Sequence, residues 1–273
     1  MATETVETPK PENPKPQKSK RQPYVRDFEE GLVYLFQYPR LKEFPNLSPF
    51  CLKLETWLRF SEIKYKMVEN LSVMHRSSEG TLPYIELNGE AHNDSAFIIR
   101  DLPQLLGVKS LDAHLSEQDQ AISLAFERLI ENSLFLGSGK FRYDQMEKVL
   151  ALWPSKFGFA QPLFNAFIKH MMTTKLKEKL NATGLGRHTN EEILGVVCDD
   201  LQALNRQLGN KQYLMGDKPT KIDASAFAAL ALITLLPFDT PPKTHILEKL
   251  PNLQKYTERI KEKYYPDWST FTS

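Results

Sequence analysis

The longest apolar run in the chain, ASAFAALALITLL at residues 224–236, constrains the fold more than any other stretch. Its thirteen residues are bounded by Asp223 and Pro237. A bilayer span needs about 20 residues, so the run is too short to cross a membrane. A helix that is apolar on every side is instead buried on every side. The run therefore predicts a central helix inside a helical domain, and no transmembrane segment.

The second half of the chain carries helix signals only. Thr189 and Glu192 have the spacing of a capping box, and Gly209 suits the end of the helix that they start. Thr220 and Asp223 form a similar box just before the apolar run. Three further helical patterns are a stripe of Ala121, Leu124, Ala125 and Leu129 within residues 116–137, a face of Ile193, Val197, Leu201, Leu204 and Leu208, and an amphipathic segment near residues 251–264.

The first half alternates strand and helix signals. GLVYLFQY at residues 31–38 and IKYKMVEN at 63–70 predict two strands, and between them Cys51, Leu54 and Leu58 repeat at helical spacing.

A hairpin and a helix follow these two strands. PYIELNGEAHND at residues 83–94 predicts two short strands around Asn88-Gly89, because both turn positions require positive φ. SAFIIRDLPQLL at 95–106 predicts a helix. The order β-α-β, then β-β-α, predicts a compact α/β unit with a mixed sheet, followed by an all-α domain. We assign residues 28–108 to the first domain and 116–270 to the second.

Composition limits the class of protein. Residues 1–27 are rich in Pro, Lys, Glu and Thr and are predicted to be a disordered tail, because they cannot bury enough apolar surface. The net charge of +1 favours neither nucleic acid nor a membrane surface as a partner, although peripheral membrane association stays open. Two cysteines are too few for a secreted disulfide framework, so we expect a cytoplasmic protein. The six histidines show no metal-ligand spacing, and no metal site is predicted.

Three short motifs of the first domain carry the functional signal. Ser48-Pro49-Phe50-Cys51 lies between the first strand and the first helix, Leu82-Pro83 directly precedes the third strand, and Asp94-Ser95 lies between the fourth strand and the next helix. Each motif alone is weak. Their order and spacing together are much more specific.

In this combination the sequence resembles the glutathione transferase superfamily, which has a thioredoxin-like domain followed by a helical domain. The resemblance implies that the bond before Pro83 is cis and that the backbone of Leu82 pairs with the cysteinyl part of glutathione. It implies that Asp94 and Ser95 bind the γ-glutamyl end, Asp94 through the ammonium group and Ser95 at a helix N-terminus.

The resemblance also assigns the reactive position and leaves one contact weakly supported. Ser48 matches the position of the catalytic serine or cysteine, where the start of a helix stabilises a thiolate. Typical members place a helix with a Lys or Gln between the second strand and the cis proline, to hold the glycyl carboxylate. Here that segment is only LSVMHRSSEGTL, and Arg76 or His75 would have to serve.

Within the superfamily, SPFCLKLETWLRF, EGTLPYIELNGE and NDSAFII look like the failed axon connections family, and beyond it the nematode cadmium-responsive proteins and the metaxins. These three groups imply, respectively, a role in axon development, in detoxification or stress, and in mitochondrial import. We rank three functional hypotheses: a protein of the failed axon connections type first, a glutathione-dependent transferase second, and a metaxin-like mitochondrial adaptor third. No bound cofactor is expected. Glutathione is the expected ligand or cosubstrate, and a homodimer or a protein partner the expected assembly.

The chemistry of the first helix start stays open at this point. Three roles are open for Ser48: a helix cap, a ligand contact, or a group that activates a thiol. Cys51 falls on the apolar stripe and is more simply a buried cysteine, with a catalytic role as the weaker alternative. Whether the protein is an enzyme is not decided by these residues.

Overall fold

The computed structural model of the chain describes residues 23–41, 43–69, 77, 80–153 and 158–272. Its first part contains a four-stranded mixed sheet in the order β2-β1-β3-β4. β1 pairs in parallel with β2 and antiparallel with β3, and β3 pairs antiparallel with β4. The strands are β1 Val33–Gln37, β2 Tyr65–Glu69, β3 Tyr84–Leu87 and β4 Glu90–Asn93.

Two helices complete this part, α1 Pro49–Phe60 and α2 Ser95–Leu106. The Asn88-Gly89 turn between β3 and β4 has φ values of 50° and 77°, as the hairpin signal predicts. The predicted order β-α-β, then β-β-α, is therefore confirmed. This is the thioredoxin-like sheet of the predicted fold class.

The second part is all-helical, as predicted. α3 is followed without a break by a π-helical turn at Ile130–Leu134 and then by α4. The helices are α3 Glu117–Leu129, α4 Phe135–Asp144, α5 Met146–Ala151, α6 Gln161–Ala182, α7 Asn190–Leu208, α8 Lys221–Thr234, α9 Pro241–Lys249 and α10 Pro251–Tyr264.

α8 is the central helix that the apolar run predicts. Every residue of α8 from Ile222 to Thr234 is buried. Asp223 accepts hydrogen bonds from both the N–H and the hydroxyl of Thr220, at 2.8 and 2.7 Å, which confirms the capping box. α8 packs on α1, so the apolar helix also joins the two parts of the molecule. The predicted box at Thr189 and the apolar face of α7 are confirmed as well.

The predicted stripe on α3 is wrong. Ala121, Leu124 and Ala125 are exposed, whereas Ser123 and Glu127 on another face are buried. Glu127 faces inward because Lys221 at the start of α8 pairs with it, at 3.2 Å. A partly buried ion pair thus occupies part of the inward face of α3, and Leu129 of the predicted stripe packs against the core.

The predicted tail is ordered at its end. The backbone N–H groups of Tyr24 and Val25 donate to the carboxylate of Glu86, at 2.8 and 2.9 Å, and the Tyr24 ring lies edge-on to Phe36. Glu86 is buried on β3 and needs partners for its oxygens. Contacts with the sheet therefore begin before the expected boundary at residue 27, while residues 1–22 lie outside the described part.

Candidate functional site

The strand register brings the three motifs to one end of the sheet. Phe36 near the end of β1 pairs with Tyr84 at the start of β3, and Tyr84 pairs with Asn93 at the end of β4. The residues just before β3 and just after β4 therefore lie at the end where β1 finishes. α1 must start at this end too, because it carries the chain back to the parallel strand β2.

Leu82 presents free backbone at this edge. The Leu82–Pro83 bond is cis, as predicted. Leu82 is half-buried and Pro83 is buried. Among the described residues, none hydrogen-bonds to the backbone N–H or C=O of Leu82. Unpaired main-chain groups beside a strand are a template for an added extended peptide.

Asp94 and Ser95 form the start of α2. Asp94 caps the helix, and its carboxylate accepts a hydrogen bond from the N–H of Ala96 at 2.8 Å. Its φ of 66° and ψ of 120° are strained for a residue with a side chain, which costs on the order of 1–3 kcal/mol. Ser95 is buried while Asp94 is exposed. Strain of this kind concentrates at ligand sites, so it supports a functional reading of the motif.

Ser48 caps α1. Its Oγ accepts a hydrogen bond from the N–H of Cys51 at 3.4 Å, and its own N–H donates to Oδ1 of Asn46 at 3.0 Å. The amide of Asn46 in turn donates to the C=O of Tyr38 just beyond β1, at 2.9 Å. Two helix N-termini, those of α1 and α2, thus face the same edge and favour negative charge there.

Asn46 is a site residue that sequence reasoning missed. It is fully buried and ties the loop before α1 to the end of β1, so it fixes where the Ser48 hydroxyl stands. Its signal in the sequence was an Asn two residues before a Ser-Pro helix start, a spacing at which Asn commonly bonds the backbone.

Cys51 is placed as a core residue. It is fully buried on the inner face of α1. Burial raises the pKa of the Cys51 thiol to about 12, against the opposing effects of hydrogen bonds from the Ser48 side chain and the Tyr38 backbone. The thiol is therefore protonated at neutral pH. A thiolate at this position would be far from the range in which cysteine nucleophiles work.

The second domain contacts the start of α1. Phe50, the second residue of α1, packs edge-to-face against Phe135 of α4, with ring centroids 5.3 Å apart. Arg76 and His75, the expected contacts for a glycyl carboxylate, lie outside the described residues. Within the described part of the chain, no three His, Cys, Asp or Glu side chains lie close enough together to hold a metal ion.

Two sequence families match the chain. Residues 49–148 match the family described as "Glutathione S-transferase N-terminal domain". Residues 197–260 match "Glutathione S-transferase, C-terminal domain". The two matches follow the order of the mixed sheet and the helical part.

Individual relatives point the same way. The chain is 37% identical to Failed axon connections of Drosophila melanogaster, over 89% of this chain and 60% of that protein, so it spans less than two thirds of the relative's length. It is 31% identical to the isoprene-epoxide–glutathione S-transferase of Rhodococcus sp. AD45, over 85% of this chain and 99% of that protein. It is 24% identical to Metaxin-2 of Mus musculus, over 80% and 82% of the two chains.

Solved structures share the fold. A glutathione S-transferase from Methylobacterium radiotolerans, in complex with glutathione sulfonate, superposes with a TM-score of 0.56. The match covers 87% of this chain and 94% of that chain at 15% identity. At this identity the likeness establishes the architecture of a thioredoxin-like sheet and a helical domain, and nothing finer.

Proposed function

The chain belongs to the glutathione S-transferase superfamily, and we propose that the sheet edge formed by Leu82, Asp94, Ser95 and Ser48 binds glutathione. The observation that carries the proposal is the unpaired backbone of Leu82 at the same edge as the start of α2. A tripeptide needs an extended partner for its middle residue and an anion site for its end, and this edge offers both.

Each part of the ligand has a counterpart. The cysteinyl residue pairs antiparallel with Leu82, in the manner of an added strand. The γ-glutamyl carboxylate is received by the Ser95 hydroxyl and the free N–H groups at the start of α2. The exposed Asp94 carboxylate pairs with the ligand's ammonium. Arg76 is the candidate for the glycyl carboxylate.

We propose that catalysis at this site is poor. The Ser48 hydroxyl has one proton and can therefore give a ligand thiolate a single hydrogen bond. With Cys51 itself buried and protonated, the edge has one weak activating group at most.

The biological role we propose is that of the failed axon connections type: a contribution to axonal or neuronal development through ligand or protein binding. It is supported by the 37% identity to the Drosophila protein, over 89% of this chain. The proposed compartment is the cytoplasm, where both cysteines, which are free in the structure, would stay reduced. A homodimer or a protein partner stays a prediction.

A glutathione-dependent transferase in detoxification is the second candidate. It is favoured by the position of Ser48 at the start of α1 and by the bacterial transferase that is 31% identical and almost completely covered. The metaxin-like adaptor is the third, with 24% identity. The first two candidates both bind glutathione, and they differ in whether the protein catalyses its conjugation.

Calorimetric titration with glutathione tests the binding proposal. We expect a dissociation constant in the millimolar range and a loss of roughly tenfold in Ser95→Ala, since one hydrogen bond to a charged group contributes about 1.5 kcal/mol or more. Ser116→Ala is the matched control, because Ser116 caps α3 away from the edge. It should bind like the wild type. Absence of heat at millimolar glutathione would remove the proposal.

Conjugation of glutathione to a generic electrophile separates the two candidates. The binding proposal expects slow turnover that changes little in Ser48→Ala. Fast turnover that Ser48→Ala abolishes would make the protein an ordinary transferase and reverse the order of the candidates.

A further inference from the structure

The outer face of α6 exposes large apolar side chains in a row. Phe159, just before the helix, is fully exposed, and Leu163 and Phe167 are 77% and 63% exposed. Their spacing of four residues places them on one side of the helix. Single exposed apolar residues are ordinary on a protein surface, but a contiguous row marks an interaction site.

The fold does not need this row. The inner face of α6 packs against the core through Phe164, Ile168, Met171 and Met172. α6 is therefore apolar on both faces along its first half. That pattern is typical of a helix that is covered on all sides, yet one side is uncovered here.

The second half of the same helix is basic. Lys175, Lys177 and Lys179 are all exposed, with Glu178 as their single acidic neighbour on this turn and a half. In the described part of the chain, no carboxylate lies within ion-pair distance of these three lysines. Earlier in the helix, Lys169 pairs with Glu147.

Apolar and basic groups belong to one stripe. From Leu163 and Phe167 the outer side of α6 continues through His170 and Thr174 to Lys177, at steps of three or four residues. A surface that covers this side therefore meets apolar groups at one end and positive charge at the other.

We propose that the outer side of α6 binds an anionic phospholipid surface, with Phe159, Leu163 and Phe167 entering the acyl boundary and Lys177, on the same side, contacting headgroup phosphates. Phe and Leu beside Lys on an exposed helix side are the features by which helices lie in a membrane interface. Lysines near an anionic surface add attraction that salt screens.

The shape of the stripe favours lipid over a folded protein partner. Leu163 and Phe167 project from α6, and Phe159 projects from the turn just before it, since most of the surface of each is exposed. A rigid partner would need a groove that matches this ridge, whereas lipid chains rearrange around it. None of the described helices is long and apolar enough to cross a membrane, so α6 would lie on the surface and not span it.

Vesicle co-sedimentation tests the proposal on the full chain. We expect binding to vesicles of phosphatidylcholine and phosphatidylserine in equal parts, weaker binding to phosphatidylcholine alone, and weakening by salt. The double variant Leu163→Gln/Phe167→Gln should lose roughly tenfold or more in partitioning, because it removes two inserting side chains. Lys177→Gln should lose about fivefold on the anionic vesicles only.

The matched control is Phe97→Gln, since Phe97 on α2 is 56% exposed and lies outside α6. It should bind vesicles like the wild type, and circular dichroism should show that all variants keep their helix content. Equal vesicle binding by the wild type and the double variant would overturn the proposal. The absence of vesicle binding by the wild type would also overturn it. If light scattering shows a dimer that the double variant alone disrupts, the surface is covered by a second copy of the chain and the lipid proposal is wrong.

Discussion

Lys53 of α1 and Glu131 of the π-helical turn form a buried ion pair, with Nζ and Oε1 2.8 Å apart. The Lys53 side chain is fully buried and that of Glu131 is 9% exposed. The same Glu131 oxygen accepts a hydrogen bond from the hydroxyl of Ser225 on α8, at 3.0 Å. One carboxylate thus ties the helix that starts with the candidate site to two elements of the helical domain.

Breaking this pair should cost more stability than breaking an exposed one. In Lys53→Met the Glu131 carboxylate stays buried without its counter-charge, and we expect a loss of about 3–5 kcal/mol in the free energy of unfolding. The double variant Lys53→Met/Glu131→Gln should regain most of the loss, because no uncompensated charge remains. Denaturant unfolding measures both.

An exposed ion pair provides the control for Lys53. Lys140 and Asp144 pair on the surface of α4, with both side chains partly exposed. Lys140→Met should cost less than about 1 kcal/mol. Equal losses in Lys53→Met and Lys140→Met would mean that the buried pair contributes no more than a surface contact.

Asp223 should contribute more to the free energy of unfolding than a helix cap alone does. Besides its two bonds to Thr220, it accepts hydrogen bonds from the N–H of Leu214 and the hydroxyl of Tyr256, both at 2.8 Å. Asp223→Ala leaves these buried donors without an acceptor, and we expect a loss of about 3 kcal/mol or more, against the roughly 1 kcal/mol of an ordinary cap. Equilibrium unfolding of this variant is the measurement.

The exposed capping box at the start of α7 is the matched comparison for Asp223. Glu192 bonds the N–H of Thr189 at 2.9 Å and has no buried donor to satisfy. Glu192→Ala should cost about 1 kcal/mol or less. A loss in Asp223→Ala no larger than this would contradict the proposed role of Tyr256 and Leu214.

Local signals predicted most of the fold. The Asn88-Gly89 turn, the caps at Thr189 and Thr220, and the five-residue face of α7 each depend on residues close in sequence, and the structure contains all of them. The cis bond before Pro83 came from the resemblance and is present. Such features are fixed by backbone chemistry that a short stretch already contains.

What the sequence did not reveal depends on partners far along the chain. The buried side of α3 carries Ser123 and Glu127, because Lys221 lies opposite. Apolar periodicity cannot find a face whose burial requires a charge from another helix. Asn46 was missed for a different reason, because its partners Tyr38 and Ser48 are close in sequence and only the spacing of Asn46 to the Ser-Pro helix start signals the contact.

Protonation of Glu55 should account for part of the stability that the protein loses in acid. This carboxylate is fully buried on α1, and Arg40 and Arg59 both pair with it. Burial alone would raise the pKa of Glu55, but the two arginines and hydrogen bonds outweigh it and lower the pKa below its ordinary value. Because the folded-state pKa is lowered, the stabilisation is present above the unfolded pKa of about 4.3 and is lost as the pH falls through the folded value.

The test is the free energy of unfolding from pH 7 down to pH 3. Glu55→Gln should be less stable at pH 7 and should show a shallower loss towards acid, because one linked proton is removed. Burial raises the pKa of Asp223, so its effect on the pH dependence of stability has the opposite sign. Because Asp223 is present in both proteins, the difference between the wild-type and Glu55→Gln curves reports Glu55 alone. Parallel curves for the two proteins would exclude the linkage.

The two native cysteines should react slowly with iodoacetamide. Burial raises the pKa of Cys51 to about 12 and also raises that of Cys198, which lies beside Asp199. At pH 7.5 we expect Cys51 to remain unmodified until the protein is unfolded, with half-buried Cys198 modified first. Site-resolved mass spectrometry distinguishes them. Rapid modification of Cys51 in the folded protein would show that its thiol is accessible after all.

A cysteine in place of Ser48 tests whether the start of α1 favours a thiolate. At this N-cap the helix dipole and free N–H groups should lower the pKa of the introduced thiol into the range of about 3.5–7.5, so that Ser48→Cys alkylates fast at neutral pH. Glutathione should slow the reaction if it occupies the proposed edge. The rate of alkylation against pH gives the pKa directly.

Ser116→Cys is the control, because Ser116 caps α3 but has Glu117 and Asp119 in the first turn, whose charges oppose a thiolate. Its thiol should titrate near or above the ordinary value of about 8.5. If Ser48→Cys titrates no lower than Ser116→Cys, the start of α1 gives a thiolate no special stabilisation. Ser48 would then be a helix cap only, and the transferase candidate would lose the feature that favours it.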